Sequence, residues 1–176
     1  MLTVKNLEER AKAVRLICTD VDGVLTTGAL HYCNDTVHSK SFNVKDGAGI
    51  KWLQSVGIPV AFISGLHSMA TVSRALDLHV TDCIVGEQNK RQVFERLCKK
   101  YKLNNNEVAY IGDDLMDLPI LISVGLACCP QDAVAEVRMA SHWTIPVPGG
   151  MGVIRAMAEL VLKSQGHWEK ILDSFA

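Results

Sequence analysis

The strongest constraint on how this chain can fold is a series of short apolar runs without a charged break, three of which end at a hydroxyl, acidic or glycine residue. Leu16, Ile17 and Cys18 run into Thr19 and Asp20, residues 58–63 into Ser64 and Gly65, and residues 108–111 into Gly112 and Asp113; residues 125–128 form another run. Runs this short are strands, and continuous apolarity means that both faces are covered. The strands are expected at 14–19, 58–63, 80–85 with a polar interruption at Thr81 and Asp82, 108–111, 125–128 and 142–145. Helical spacing fills the gaps. Ile50, Leu53 and Val56 mark a helix opened by Asp46 and Gly47 and closed by Gly57. Further helices are expected at 68–76, at a segment carrying Val93, Phe94, Leu97 and Cys98 on one side, at 115–123 with Pro119 in its first turn, at 133–139 and at 153–163. Residues 28–42 read as a hairpin joined at Asn34 and Asp35. Strands alternating with helices predict an α/β fold, a parallel sheet with helices on both faces. No linker, repeat or low-complexity block divides residues 1–176, so one domain is expected.

Ligands of such sheets collect at the carboxyl ends of the strands. Four polar signals fall there: Asp20 and Asp22 after the first strand, Ser64 and Gly65 after the second, Lys90 shortly after the third, and Gly112, Asp113 and Asp114 after the fourth. Asp20 and Asp22 share a face if the chain stays extended through Val21. Other classes are disfavoured. A net charge of −1 without a basic block argues against nucleic acid. No apolar stretch is long enough to span a bilayer, and the charged N-terminus lacks the pattern of a signal peptide, so the cytoplasm is the expected location. The six cysteines include no CxxC pair, and Cys18, Cys83 and Cys128 lie in strand-like runs, which suits small buried hydrophobes. The six histidines lack paired-ligand spacing.

Converging carboxylates repel unless a cation lies among them, and oxygen ligands favour a hard ion such as Mg²⁺. Lys90 and the Ser64 hydroxyl, with nearby backbone N–H groups, suit an anion opposite that metal, and phosphate is the natural one. Asp20 is then the nucleophile of phosphoryl transfer, and Asp22 is the acid for the leaving alkoxide and the base for water. Asp113 is the best further metal ligand, with Asp114 a ligand through water or a supporting partner. Asp117 either orients Lys90 or the metal's waters, or is a solvated acid at a helix start. A phospho-receiver also combines aspartate, hydroxyl, lysine and Mg²⁺, but its acceptor comes later in the chain than its first acidic pair.

Residues 20–26, Ser64 and Gly65, Lys90, and residues 112–117 together resemble the four motifs of the haloacid dehalogenase superfamily of phosphatases. More narrowly, the hairpin, residues 42–51 and the Pro148, Gly149, Gly150, Met151, Gly152 loop are similar to the 3-deoxy-D-manno-octulosonate 8-phosphate phosphatases of lipopolysaccharide sugar synthesis. The resemblance implies a Rossmann-like three-layer sheet with no separate cap domain. It also implies a homotetramer in which hairpins join around an axis and a neighbouring subunit roofs each site. The implied metal site uses Asp20, the backbone carbonyl of Asp22, and Asp113, with Ser64, Gly65 and Lys90 on the phosphate and Lys45 and Asp46 toward the substrate. The chain departs from the family pattern at Leu66 and Met151, where arginine or another polar residue is usual, and at Lys45, which replaces an arginine. Lys45, Lys51 or Arg74 would then supply the missing donors. Nonulosonate or acylneuraminate 9-phosphates are the alternative substrates, and a non-catalytic relative is the alternative class.

Overall fold

The computed structural model describes residues 4–33 and 36–175. The elements in chain order are α1 (Val4–Lys12), β1 (Leu16–Thr19), β2 (His31–Cys33), β3 (Thr36–Ser39), α2 (Val44–Ser55), β4 (Val60–Ser64), α3 (Met69–Asp77) and β5 (Asp82–Val85). They continue with α4 (Lys90–Tyr101), β6 (Val108–Ile111), α5 (Leu118–Leu121), β7 (Leu126–Cys129), α6 (Ala135–Ala140), β8 (Trp143–Thr144), α7 (Val153–Ser164) and α8 (Trp168–Asp173). Six strands form one sheet in the order β5-β4-β1-β6-β7-β8, every neighbouring pair parallel. Counted without the hairpin strands, this is the 3-2-1-4-5-6 order of doubly wound folds.

The unbroken apolar runs follow from this layering. Ile17, Phe62, Ala109 and Ile111 pack into one core, joined by Ile50 and Leu53 of α2 and by Val153, Met157 and Val161 of α7. Leu16, Cys18, Ala61, Ile63 and Tyr110 face the other, against Val93, Phe94 and Leu97 of α4 and Ile120 and Leu121 of α5. Alternation sends successive residues to opposite cores, so neither set can be polar. Each fully buried Leu, Ile or Phe contributes about 1.5–3 kcal/mol.

Differences from the expected elements have local causes. Residues 14 and 15 are not in β1, because the Val14 N–H still bonds the Ala11 carbonyl at the end of α1. β5 starts at Asp82, since the His79 backbone turns to φ 55° and the Val80 N–H closes α3 on Ala75. The polar break in that edge strand is satisfied by Lys100 Nζ and the Tyr101 hydroxyl on Asp82, each at 2.6 Å. The helix expected at 115–123 is a 3₁₀ turn over Leu115–Asp117 followed by α5. Cys18 and Cys128 are buried as expected, whereas Cys83 on the edge strand is only partly so. β2 and β3 pair antiparallel, as a hairpin should; the turn expected at Asn34 and Asp35 lies outside the described residues.

Candidate active site

Thr19, the last residue of β1, pairs with Phe62 on one side and Ile111 on the other. Asp20 therefore leaves the sheet where the strand order reverses, the crevice in which such folds bind ligands. Its N–H donates to the Ile111 carbonyl at 2.9 Å. The chain then turns, with the Val21 carbonyl accepting the N–H of Leu25 at 2.9 Å and of Thr26 at 3.1 Å. Gly23 sits in that turn at φ +90°, and a Cβ there would lie 2.0 Å from Asp113 Oδ2. Only glycine admits both the backbone angle and the neighbouring carboxylate.

Lys90, the first residue of α4, is buried with its Nζ 2.8 Å from Asp20 Oδ1 and 2.9 Å from Asp117 Oδ1. Asp117 is wholly buried and its oxygens are fully engaged. Oδ1 also accepts the Tyr110 hydroxyl at 2.6 Å, and Oδ2 accepts the N–H groups of Asp113 at 3.0 Å and Asp114 at 3.3 Å. Asp117 is thus not a solvated acid at a helix start: it is enclosed and paired with Lys90. Asp114 is exposed and accepts the Leu115 N–H at 2.7 Å, capping the 3₁₀ turn at the cleft rim.

Carboxylate oxygens of Asp20, Asp113 and Asp117 all lie within 4.8 Å of one another. Burial, then the charges of Asp20 and Asp117, push the Asp113 carboxyl up to about 8. Burial and the charge of Asp117 raise Asp20 to about 6 against the opposing pull of Lys90. One lysine does not neutralise three carboxylates, so the cluster takes up either protons or a cation. Asp113 Oδ1 is buried without a hydrogen-bond partner. Asp20 and Asp113 thus have lone pairs free for a hard divalent ion, while those of Asp117 are engaged by donors, and the site fits Mg²⁺.

Ser64, buried at the end of β4, places its hydroxyl 3.3 Å from Asp22 Oδ2 and 3.1 Å from the Leu66 carbonyl, and accepts the Leu66 N–H at 3.2 Å. The Gly65 carbonyl accepts from Gln88 Nε2 at 2.9 Å. Asp20, Asp22, Gly65, Lys90, Asp113 and Asp114 line a cleft of about 370 Å³, which Gly28, Leu30, Leu66, Gln88 and Met116 complete. A cavity of about 710 Å³ at the opposite end of the sheet, around Val14, Pro59 and Tyr101, holds none of these groups. Chemistry rather than size selects the smaller cleft.

Lys45 and Asp46 are not in the cleft lining. Lys45 is exposed on the first turn of α2. Asp46 is buried, with Oδ1 accepting the Arg155 N–H of α7 at 2.8 Å. Arg74 bonds Asp77 and the Asn43 carbonyl, Lys51 is exposed on α2, and Met151 is exposed outside the lining. Leu66 does line the cleft, so the residue that follows Ser64 and Gly65 is apolar at the site itself. Sequence reasoning missed Lys40, Gln88 and Tyr110. Lys40 Nζ lies 2.7 and 2.8 Å from the two oxygens of Asp22. No periodicity marks a lone lysine after a hairpin; Tyr110, inside an apolar strand, signals only that its hydroxyl needs a buried acceptor.

Residues 78–157 match the family model described as haloacid dehalogenase-like hydrolase. The chain is 35% identical over 161 residues to the 3-deoxy-D-manno-octulosonate 8-phosphate phosphatase of Yersinia pestis, covering 92% of this chain and 86% of that protein. It is 36% identical over 160 residues to the Haemophilus influenzae enzyme of the same name, covering 91% and 89%. A crystal structure of the same phosphatase from Moraxella catarrhalis, in complex with magnesium ion, phosphate ion and KDO, superposes with a TM-score of 0.96. It is 31% identical, with 99% of this chain and 100% of that one covered.

Proposed function

The chain belongs to the haloacid dehalogenase-like hydrolases, in the family of the 3-deoxy-D-manno-octulosonate 8-phosphate phosphatases, and from that premise we propose that it hydrolyses this sugar-acid phosphate through an aspartyl-phosphate on Asp20. The observation that carries the reading is the Asp20 carboxylate at the strand-order reversal, held by Lys90 and with a carboxylate oxygen of Asp113 within 4.8 Å. Mg²⁺ would be held by the carboxylates of Asp20 and Asp113 and the carbonyl of Asp22, and when bound it supplies charge neutralisation among the carboxylates and the phosphoryl oxygens. Ser64, the Gly65 amide and Lys90 bind the remaining phosphoryl oxygens.

An Asp20 oxygen attacks phosphorus as the bond to the sugar oxygen breaks, and the Asp22 carboxyl gives its proton to the leaving alkoxide. The free sugar acid departs. Asp22, now a carboxylate, takes a proton from water as that water attacks the phosphorus of the aspartyl-phosphate, which releases inorganic phosphate and restores both residues. Asp117 holds Lys90 in place, and Asp114 fixes the turn that carries Asp113.

The whole chain acts as one domain in the cytoplasm, supplying the lipopolysaccharide sugar, with the hairpin in place of a cap. Assembly as a homotetramer through the hairpins is supported by Tyr32, exposed on the hairpin, and Leu30 at the cleft wall. The apolar Leu66 in the lining favours a second reading, in which a nine-carbon acid 9-phosphate is the substrate. Phosphate release with Mg²⁺ is expected to show higher kcat/KM for the eight-carbon than the nine-carbon substrate, and Asp20→Asn to abolish turnover in a folded protein. Equal or reversed preference would transfer the assignment to the nine-carbon acids, and persistent Mg²⁺-dependent hydrolysis by Asp20→Asn would remove the nucleophile.

A further inference from the structure

Lys40 follows directly on β3, and its side chain is fully enclosed, with no exposed surface. Its ammonium lies 2.7 Å from Asp22 Oδ1 and 2.8 Å from Oδ2, and donates to Thr71 Oγ1 of α3 at 3.3 Å. Thr71 is itself fully buried. Asp22, by contrast, keeps a quarter of its side chain exposed, toward the cleft. An ammonium taken wholly out of water is expensive to bury and persists where its partners are close and fixed. Lys40 is thus enclosed behind Asp22, reaching the cleft only through it.

Resting on the proposed role of Asp22 as acid and base, we propose that Lys40 is the positioning residue for that carboxyl group, holding it in the orientation from which it serves the leaving oxygen and then the water. The geometry gives the reason. Asp22 follows the strand end, next to Gly23, and its own backbone does not restrict its side chain to one direction. The ammonium donates a hydrogen bond to Oδ2 and adds a close ion-pair contact with Oδ1, which makes no hydrogen bond of its own, so one nitrogen holds the carboxylate by one directed bond and by charge. Thr71 supplies the second contact that keeps the ammonium from following Asp22 outward. The Ser64 hydroxyl, 3.3 Å from Asp22 Oδ2, braces the carboxylate from the β4 side. Proton transfer needs donor and acceptor within about 2.6–3.2 Å, so a freely rotating Asp22 loses most of its productive population. Lys40 exchanges no proton in the cycle; the proton moves between Asp22, the alkoxide and water.

The consequence is specific to the leaving group. An alkoxide needs the proton of Asp22, whereas 4-nitrophenolate is a good enough leaving group to depart without it. Because kcat/KM reports only steps through the first phosphoryl transfer, the ratio of its values for sugar phosphate and 4-nitrophenyl phosphate reads the acid alone. Asp22→Asn is expected to lower the sugar-phosphate value by about 100-fold or more and the aryl value far less. Lys40→Met is expected to show the same selectivity, with Lys40→Arg retaining most of the sugar-phosphate activity. In the double variant, Lys40→Met is expected to add less than about 2-fold to the loss from Asp22→Asn, since a residue that acts only through another has nothing left to position.

Equal losses on both substrates, or multiplicative losses in the double variant, would overturn the role of Lys40 while leaving that of Asp22 intact. A missing leaving-group effect in Asp22→Asn would overturn both, and only in that case is the acid assignment itself at fault. Thermal unfolding identifies variants that are not folded. If Lys40→Met is among them, Lys40→Gln, whose amide is neutral and one atom shorter and so does not replace the ion pair with Asp22, is read by the same ratios against the same outcomes.

Discussion

The Asp46 carboxylate accepts the Arg155 N–H at the first turn of α7, and it is there rather than in the cleft that its charge has consequences. Burial raises its pKa from 3.8 to about 6, against the backbone N–H groups of Arg155, Ile154 and Gly152, which pull it down. The folded protein therefore holds this proton more tightly than the unfolded chain. Its favourable contribution is complete below about pH 4 and is lost as the pH rises through 6; the two-unit shift corresponds to about 3 kcal/mol. Asp46→Asn keeps an oxygen for the Arg155 N–H and removes the titration. Melting temperatures measured from pH 4 to 7 are expected to show a shallower fall with rising pH in Asp46→Asn than in the parent, with KM unchanged. A raised KM with an unaltered melting profile would return Asp46 to the substrate side. In the sequence, Asp46 stands before Gly47 at a helix start and looks available to a ligand. Its partner lies 109 residues further along, and nothing local announces it.

At the scale of elements, the unit of β6 and its exit turn decides the electrostatics of the cleft. The apolar residues 108–111 ending at Gly112 and Asp113 were readable as a strand and its ligand-bearing end, because burial on both faces leaves a run that no exposed segment would carry. The 3₁₀ turn was not readable. It exists because Asp114 caps it from the front while Asp117 reaches back to the N–H groups of Asp113 and Asp114. Asp117 also closes on Lys90 and Tyr110, so its removal strands a buried cation, a hydroxyl and two amides together. Asp117→Ala is expected to cost about 3–5 kcal/mol in urea unfolding and to reduce kcat at least about 10-fold, because Lys90 loses the anchor opposite Asp20. Asp117→Asn, which keeps one acceptor oxygen and so about half of these hydrogen bonds, is expected to lose less stability than Asp117→Ala. Equal stability of all three proteins would show that the network contributes nothing to the fold.

For the whole molecule, the strand order brings Asp20 and Asp113 together, since β1 and β6 are 3-2-1-4-5-6 neighbours at the reversal although their residues are far apart in sequence. The carboxylates that this topology crowds together are relieved by a cation, so metal and fold are linked. Saturating Mg²⁺ at about 100 times its dissociation constant contributes about 2.7 kcal/mol, which for a chain of this length raises the melting temperature by about 5–10 °C relative to EDTA. Calorimetry at neutral pH is expected to show that rise in the parent and little of it in Asp113→Asn; an equal rise in both would move the metal elsewhere. By itself the sequence determined the layers and the strand ends, and with them Asp20, Asp22, Ser64, Lys90 and Asp113 on one rim, because side-chain periodicity and turn residues encode local backbone geometry. Only the tertiary structure decided that Asp117 engages Lys90, that Asp46 turns to α7, and that Lys40 lies against Asp22. Those pairings depend on which buried charges meet once distant segments pack, and an enclosed ammonium takes the carboxylate that the assembled fold puts within its reach.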